Sequence, residues 1–451
     1  STQPEPTQIE VTAGRVGWIR PSGDGRWELV LADVSAVCPP SRPNCEALIE
    51  DDPGRRIDLG TAPTGVTISP ANDNQIVVES PGEGSAPDRI LVVAVPPATP
   101  EPTAVPTDGP AVTPTDAPAT PTDAPATPDL SSPEPSPVNP DGAIEIASGV
   151  TVVGETAYSA DGQWLAFSAR PSDGSTGPDL YLWTVGDATA TPVTTDHRTY
   201  FSAWLDGQVL ASRVTETPAP EATADESAAT DAPSDAPAAV VDEHPASFLL
   251  DPATLARTEI AQPDVWMPVV DPTGHYVAFW SGTLVQTADG TDWRLGTGRL
   301  VLDGWNDEPP AAATDAPGAE ASGDPSASSQ QFPGPAGSPI EIATGDVAAF
   351  QAKFDPTGTR LAVWVGEQLD AAVGRLRLIV LDPETGTIDP TATPLAGAPA
   401  LRMFSVDVGR LAWVTPSGQD GQESAVQVLG WSRNNFGEIR TIPAKDLFLV
   451  R

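Results

Sequence analysis

The chain has 451 residues but only two cysteines, two methionines, three histidines and two lysines, Lys353 and Lys445. Each scarcity closes a door. A structural zinc site needs four ligands, and Cys38 and Cys45 have no second cysteine pair or neighbouring histidine to complete one. Basic residues number 23 against 62 acidic ones, a formal charge of −39, and a surface that negative repels nucleic acid and anionic lipid. Solubility, spread over loops and linkers, accounts for the charge; a site for cations or basic partners is the alternative. No apolar run is long enough to span a membrane and no signal peptide is present. Asn-x-Ser/Thr acceptor sites are absent. So are a Gly-x-Ser-x-Gly elbow, a phosphate loop, a His-Glu-x-x-His pair and an Asp-x-Asp-x-Asp-Gly calcium loop.

What is present is a pattern, clearest from Glu155 to Val185. A short apolar run (Thr156, Ala157, Tyr158) leads through Ser159-Ala160-Asp161-Gly162 into Trp164-Leu165-Ala166-Phe167, and a polar loop precedes Leu180-Tyr181-Leu182-Trp183. Asp-Gly between apolar runs signals a hairpin, because Gly tolerates positive φ and Asp bonds its own backbone. The second run is apolar on successive residues, so both faces of its strand are covered. Sheets stacked radially, each between two neighbours, meet that condition.

The pattern recurs. Asp206-Gly207 opens Gln208 to Ala211, Thr273-Gly274 opens His275 to Trp280, and Thr357-Gly358 opens Thr359 to Trp364, with Ala four residues after the Gly as in the first copy. Gly14 to Gly23 and Gly409 to Gly418 form a closer pair, and Ile68 to Val78 is a seventh, weaker copy without the Gly. A later strand also repeats, Ile144-Glu145-Ile146-Ala147 matching Ile340-Glu341-Ile342-Ala343, with Arg56 to Gly60 a looser relative. Three low-complexity segments rich in Ala, Pro, Thr, Asp and Ser interrupt the copies at 96–140, 215–243 and 306–338. Such composition cannot build a core, so these segments read as disordered insertions inside blades. Without them the repeat is roughly 40 to 50 residues, the size of a four-stranded propeller blade.

The Ser-Ala-Asp-Gly-Gln-Trp-Leu-Ala-Phe-Ser run with Asp179 to Trp183, and Phe354 to Val363, resemble the TolB-type, WD-repeat-like β-propeller module. The resemblance implies an all-β fold: a single β-propeller of about seven four-stranded blades over 9–451. The composition of residues 1–8, Ser-Thr-Gln-Pro-Glu-Pro-Thr-Gln, reads as a tether. Ring closure has three candidate forms: Gln8 to Thr12 as the last strand, Leu447 to Val450 in that role, or an open ring.

Candidate site residues follow from register. Trp18, Trp280, Trp364 and Trp413 share a place on the second strand and are expected in the core. Trp266, Trp293, Trp305 and Trp431 lie off that register, which makes them candidates for exposed binding anchors. His197, between the third and fourth blades near the pore mouth, is the histidine to test; His275 follows a turn Gly and reads as a turn or strand residue. Asp161, Asp206 and Asp355 recur at turns and read as turn-bonding groups. Cys38 and Cys45 bracket a Pro-rich loop, an arrangement expected to form a local disulfide in an oxidising compartment, with two reduced thiols as the alternative.

The functional expectation is a non-enzymatic, monomeric module with no cofactor or metal, binding a protein or small extracellular ligand and no nucleic acid. It would work outside the cytoplasm in an anchored bacterial envelope protein, joined to an upstream signal peptide, lipid anchor or membrane helix. The ectodomain of an anti-sigma-factor-like regulator is one form of it. A docking scaffold is what the TolB resemblance implies, and a glycan-active propeller enzyme is the rival of another class.

Overall fold

The structure, a computed structural model, describes residues 10–12, 15–22, 26–33, 55–60, 62–69, 75–82, 87–94, 143–215, 242–260, 262–288, 290–306, 334–336, 339–343, 347–368, 373–382, 387–389, 395–402, 404–416, 425–432 and 435–443. Cys38, Cys45, Lys445, Leu447 to Val450, residues 1–8 and the insertion 96–140 lie outside the described residues, as do the Trp18 side chain and most of the other two insertions.

Described residues form strands and turns and no helix, so no helix among them is long and apolar enough to cross a membrane. The strands make seven antiparallel sheets of four to six strands each, and the sheets follow one another along the chain: a seven-bladed β-propeller. The second strands of blades 1 to 7 are Arg15–Pro21, Gln75–Ser80, Trp164–Pro171, Gln208–Val214, Tyr276–Gln286, Arg360–Gly366 and Arg410–Thr415. These are the seven copies of the sequence repeat. Ile144–Ser148 and Ile340–Glu341, the matched later segments, are both outermost strands.

The turn before each second strand explains why the repeat is there. In blades 3, 5 and 6 the amides of Gly162, Gly274 and Gly358 donate to the carbonyls of Ser159, Asp271 and Asp355, and each Gly sits at positive φ (66, 72 and 67°). The side chain three residues before that Gly then accepts from the strand beyond. Asp355 Oδ1 takes the amides of Thr359 and Arg360, both at 2.8 Å, and Asp271 Oδ2 takes those of His275 and Tyr276 at 2.8 and 2.5 Å. Both carboxylates are fully buried, so these amide bonds are what makes their burial tolerable. Asp206 and Gly207, at φ 47 and 77°, make a tight turn of the primed kind in blade 4.

Packing is between blades. Six apolar clusters join consecutive blades from 1–2 through 6–7, among them Phe167 and Trp183 against Val77 and Ile90, and Trp364 against Phe404 and Leu411. Trp280, Trp364 and Trp413 on the second strands are at most 2% exposed. Among the described residues no cluster joins blade 7 to blade 1. Glu10–Thr12 pairs with Arg15 to Gly17 as the first strand of blade 1, so it does not take the role of last strand that was one of the three candidate forms of closure. The last blade instead takes its fourth strand from Arg440–Pro443.

The expected insertions fall inside blades 2, 4 and 5, and the ends of two of them are ordered. Asp242–Glu243 pairs with Leu284 and Val285, and Gly334–Pro335 pairs with Trp305 and Asn306, so residues inside two of the spans read from composition take part in sheet pairing.

Candidate functional site

The innermost strands of blades 3, 4 and 5 depart from the regular pleat. Register shifts opposite Phe167/Ser168, at Ser202 and at Met267-Pro268, where in each case extra residues on the inner strand oppose a regular second strand. Such bulges bend a strand and re-aim side chains. Met267 takes φ +50° there, and Pro268 withdraws a donor from the ladder, which a bulge tolerates.

A hydroxyl relay pins the bulge in blade 5. The Met267 amide donates to Ser212 Oγ (2.8 Å), Ser212 bonds Ser247 Oγ (2.8 Å), and Ser247 donates to the Val265 carbonyl (2.7 Å). Ser212 and Ser247 are fully buried in blade 4, so one blade fixes both sides of the next blade's irregular strand. Ser168 of blade 3 does the same for blade 4, accepting from the Phe201 amide at 2.6 Å and donating to the Thr199 carbonyl at 3.2 Å.

The bulged strands surround a cavity of about 330 Å³. Its walls come from the inner strands of blades 3 to 6 (Glu155, Tyr200, Trp266, Met267, Phe350, Gln351) and from Arg402 at the entry to blade 7. A fifth element crosses to it. The central hairpin of blade 5, Tyr276–Gln286 and Trp293–Asn306, is longer than those of the other blades and brings Asp292, Trp293, Arg294 and Leu295 to the cavity. Its register shifts between Gly282 and Leu284. A β-carbon on Gly282 would lie 2.3 Å from the Thr297 carbonyl oxygen, so the two strands approach more closely there than any side chain allows.

Aromatic rings frame the space. Tyr200 meets Trp266 edge to face at 4.9 Å, and the Arg198 guanidinium lies 5.6 Å from the centre of the Trp293 ring. The Tyr200 hydroxyl donates to Asp292 Oδ1 at 2.5 Å, and the Trp293 amide donates to the same oxygen at 2.8 Å. Burial, followed by the Asp292 charge, pushes the Tyr200 phenol far above its ordinary range, so it stays a neutral donor. On the opposite wall Glu155 accepts from the Gln351 amide and lies 3.5 Å from Lys353 Nζ. Among the described residues no group of three His, Cys, Asp or Glu side chains is placed to hold a metal ion.

Of the side chains singled out from sequence, Trp266 and Trp293, on different strands of blade 5, come together at this cavity. Both are 6% exposed, so they are wall residues and not exposed anchors. Trp305 is also 6% exposed and packs between blades 4 and 5 with Phe279 and Leu205, away from the cavity; its reading as an exposed anchor is corrected. Trp431 is half-buried against Phe436. His197 sits in the connector from blade 3 to blade 4 at φ 56°, its Nδ1 2.7 Å from Asp179 Oδ2 and its side chain half exposed. It borders the site through Arg198 without lining the cavity. Glu155, Tyr200, Asp292, Arg294, Gln351 and Arg402 were not singled out. Met267-Pro268, a proline within a strand, was the one local signal of a bulge.

No protein-family model matches the chain, and no curated protein matches it. Solved structures similar to it include a β-propeller domain, TolB proteins and peptidases. The β-propeller domain of the Trilobed protease from Pyrococcus furiosus aligns over 98% of this chain and 99% of its own at 9% identity, with a TM-score of 0.48. TolB from Acinetobacter baumannii aligns over 94% and 81% at 12% identity and a TM-score of 0.38. The acylaminoacyl peptidase of Pyrococcus horikoshii aligns over 97% of this chain at 9% identity and a TM-score of 0.43, and the chain spans 52% of that enzyme's length. These likenesses concern the fold alone, and they span proteins named as TolB and proteins named as peptidases.

Proposed function

We propose that this propeller is a non-enzymatic binding module whose ligand, a small molecule or a protein segment, occupies the cavity between the inner strands of blades 3 to 6. The observation that carries the reading is the framing of that cavity by Tyr200, Trp266 and Trp293 under a hairpin elongated to reach it. A concave, largely apolar site with a few fixed polar groups is the usual form of a ligand pocket. The acidic Pro/Thr-rich segments at 96–140, 215–243 and 306–338 support a setting outside the cytoplasm, in an anchored bacterial envelope protein such as an anti-sigma-factor-like regulator. Cys38 and Cys45, read as a disulfide, fit the same compartment.

A thermal-shift screen of the purified chain against divalent cations, cell-wall glycan fragments, short peptides and common metabolites tests this reading, because a ligand that binds only the folded state raises the melting temperature. The expected result is a shift that Trp293→Leu abolishes. A shift that survives Trp293→Leu places binding elsewhere on the molecule. No shift with any small ligand, with specific crosslinks to an envelope protein, favours a docking scaffold instead.

A further inference from the structure

The cavity is lined by as many basic side chains as acidic ones, two of each, in a chain where acidic residues outnumber basic ones 62 to 23. Of the side chains lining it, Glu155 and Asp292 are acidic and both already have partners, Lys353 with Gln351 for the first and Tyr200 with the Trp293 amide for the second. Arg294 and Arg402 line the same cavity and are exposed. Arg294 has no hydrogen-bond or ionic partner among the described residues. The Arg402 guanidinium lies 5.7 Å from the centre of the Trp364 ring. Two arginines thus line one cavity in a chain with 23 basic residues and a net charge of −39.

Position explains the arrangement. Along the elongated hairpin Trp293 is buried and Arg294 exposed, so one dipeptide offers an apolar ring and a cation to the same space. The Trp293 indole N–H is buried without an acceptor, a further donor in that wall. The chain's overall negative field does not decide the matter at contact range, since screening confines it to about 8 Å at physiological salt. A guanidinium holding a carboxylate or sulfonate acts at hydrogen-bond distance, where charge-assisted bonds are roughly twice as strong as neutral ones.

We propose that the cavity selects a small anion with an apolar body, its acid group held by Arg294 and Arg402 and its body packed among Trp266, Trp293 and Phe350. This rests on the reading of the cavity as the binding site and adds the charge of what it takes. Such a ligand is either a free aromatic or aliphatic acid or the carboxyl end of a peptide with an apolar last residue.

The test is isothermal titration of the full 451-residue chain with three probes: N-acetyl-L-phenylalanine, its neutral amide, and acetyl-Ala-Ala-Phe with a free carboxylate. The acids are expected to bind one to one, about 10-fold or more tighter than the amide, in line with charge-assisted hydrogen bonds. The double variant Arg294→Gln/Arg402→Gln, at exposed positions, is expected to cost the acids about 10-fold and leave the amide unchanged. The ratio of the two acids separates a free acid from a peptide terminus. Equal affinity of acid and amide, or acids indifferent to the double variant while Trp293→Leu weakens all probes, overturns anion selection and leaves the cavity as the site. No binding by any probe, or binding indifferent to Trp293→Leu, overturns both.

Discussion

In blade 5 the second strand keeps a regular pleat from Tyr276 to Ser281 with Val277, Ala278 and Phe279 fully buried, while the inner strand beside it breaks register after two residues and turns Met267 to positive φ. The same contrast holds in blades 3 and 4, where Ala166 and Phe167, or Leu210 and Ala211, are fully buried next to inner strands bulged before Thr156 and at Ser202. In blade 6 the inner strand is regular, and its contribution to the cavity, Phe350 and Gln351, is made without a bulge. Repetition on the second strands stacks the blades; departures from repetition on the inner strands make the site. The departures are affordable because buried hydroxyls of the preceding blade replace the ladder bonds that a bulge gives up.

That division of labour can be broken from either side. Trp280→Ala removes a second-strand side chain that is 2% exposed and sits in the cluster between blades 5 and 6. It is expected to cost about 3–5 kcal/mol, read by chemical denaturation. A loss under about 1 kcal/mol would mean that the second strands do not carry the stacking.

Ser212→Ala attacks the inner strand instead. It leaves the Met267 amide without its acceptor and the Ser247 oxygen without its donor, and is expected to cost about 1–3 kcal/mol. It should also change the Trp266 fluorescence environment more than Trp280→Ala does per unit of lost stability, because the relay holds the bulge that places Trp266. An unchanged spectrum would detach the relay from the cavity.

Tyr200→Phe gives the smallest and most selective effect. Burial, then the Asp292 charge, raises the Tyr200 phenol's pKa in the folded state, so its stabilising contribution is present below the unfolded value of about 10 and is lost as pH rises above it. The wild-type melting temperature should therefore fall more steeply than that of Tyr200→Phe between about pH 9 and 11. Parallel curves would mean that the phenol ionises as freely folded as unfolded.

The fold was legible wherever chemistry is local. Asp271 and Asp355 bond amides four and five residues ahead, and the turn Gly needs positive φ, so the constraint is written within a few consecutive positions and recurs in every blade that uses it. The site was legible only in part. Trp266 and Trp293 stood out by falling off the repeat, yet Trp305 fell off it for a different reason: it fills a gap between blades 4 and 5. Glu155 and Gln351, bonded to each other in the cavity wall, are 196 residues apart and each looks unremarkable in its own strand.

The sequence by itself determined the class of the chain: seven turn-and-strand copies, each with an apolar run covered on both faces, and three segments too polar to join them. Only the tertiary structure decided which inner strands bulge, which hairpin reaches the cavity, and which two of the 23 basic side chains line it. The reason is physical. Turns and strands are specified by neighbours along the chain, whereas a cavity is specified by residues on different blades that meet only after the blades have stacked around a common axis.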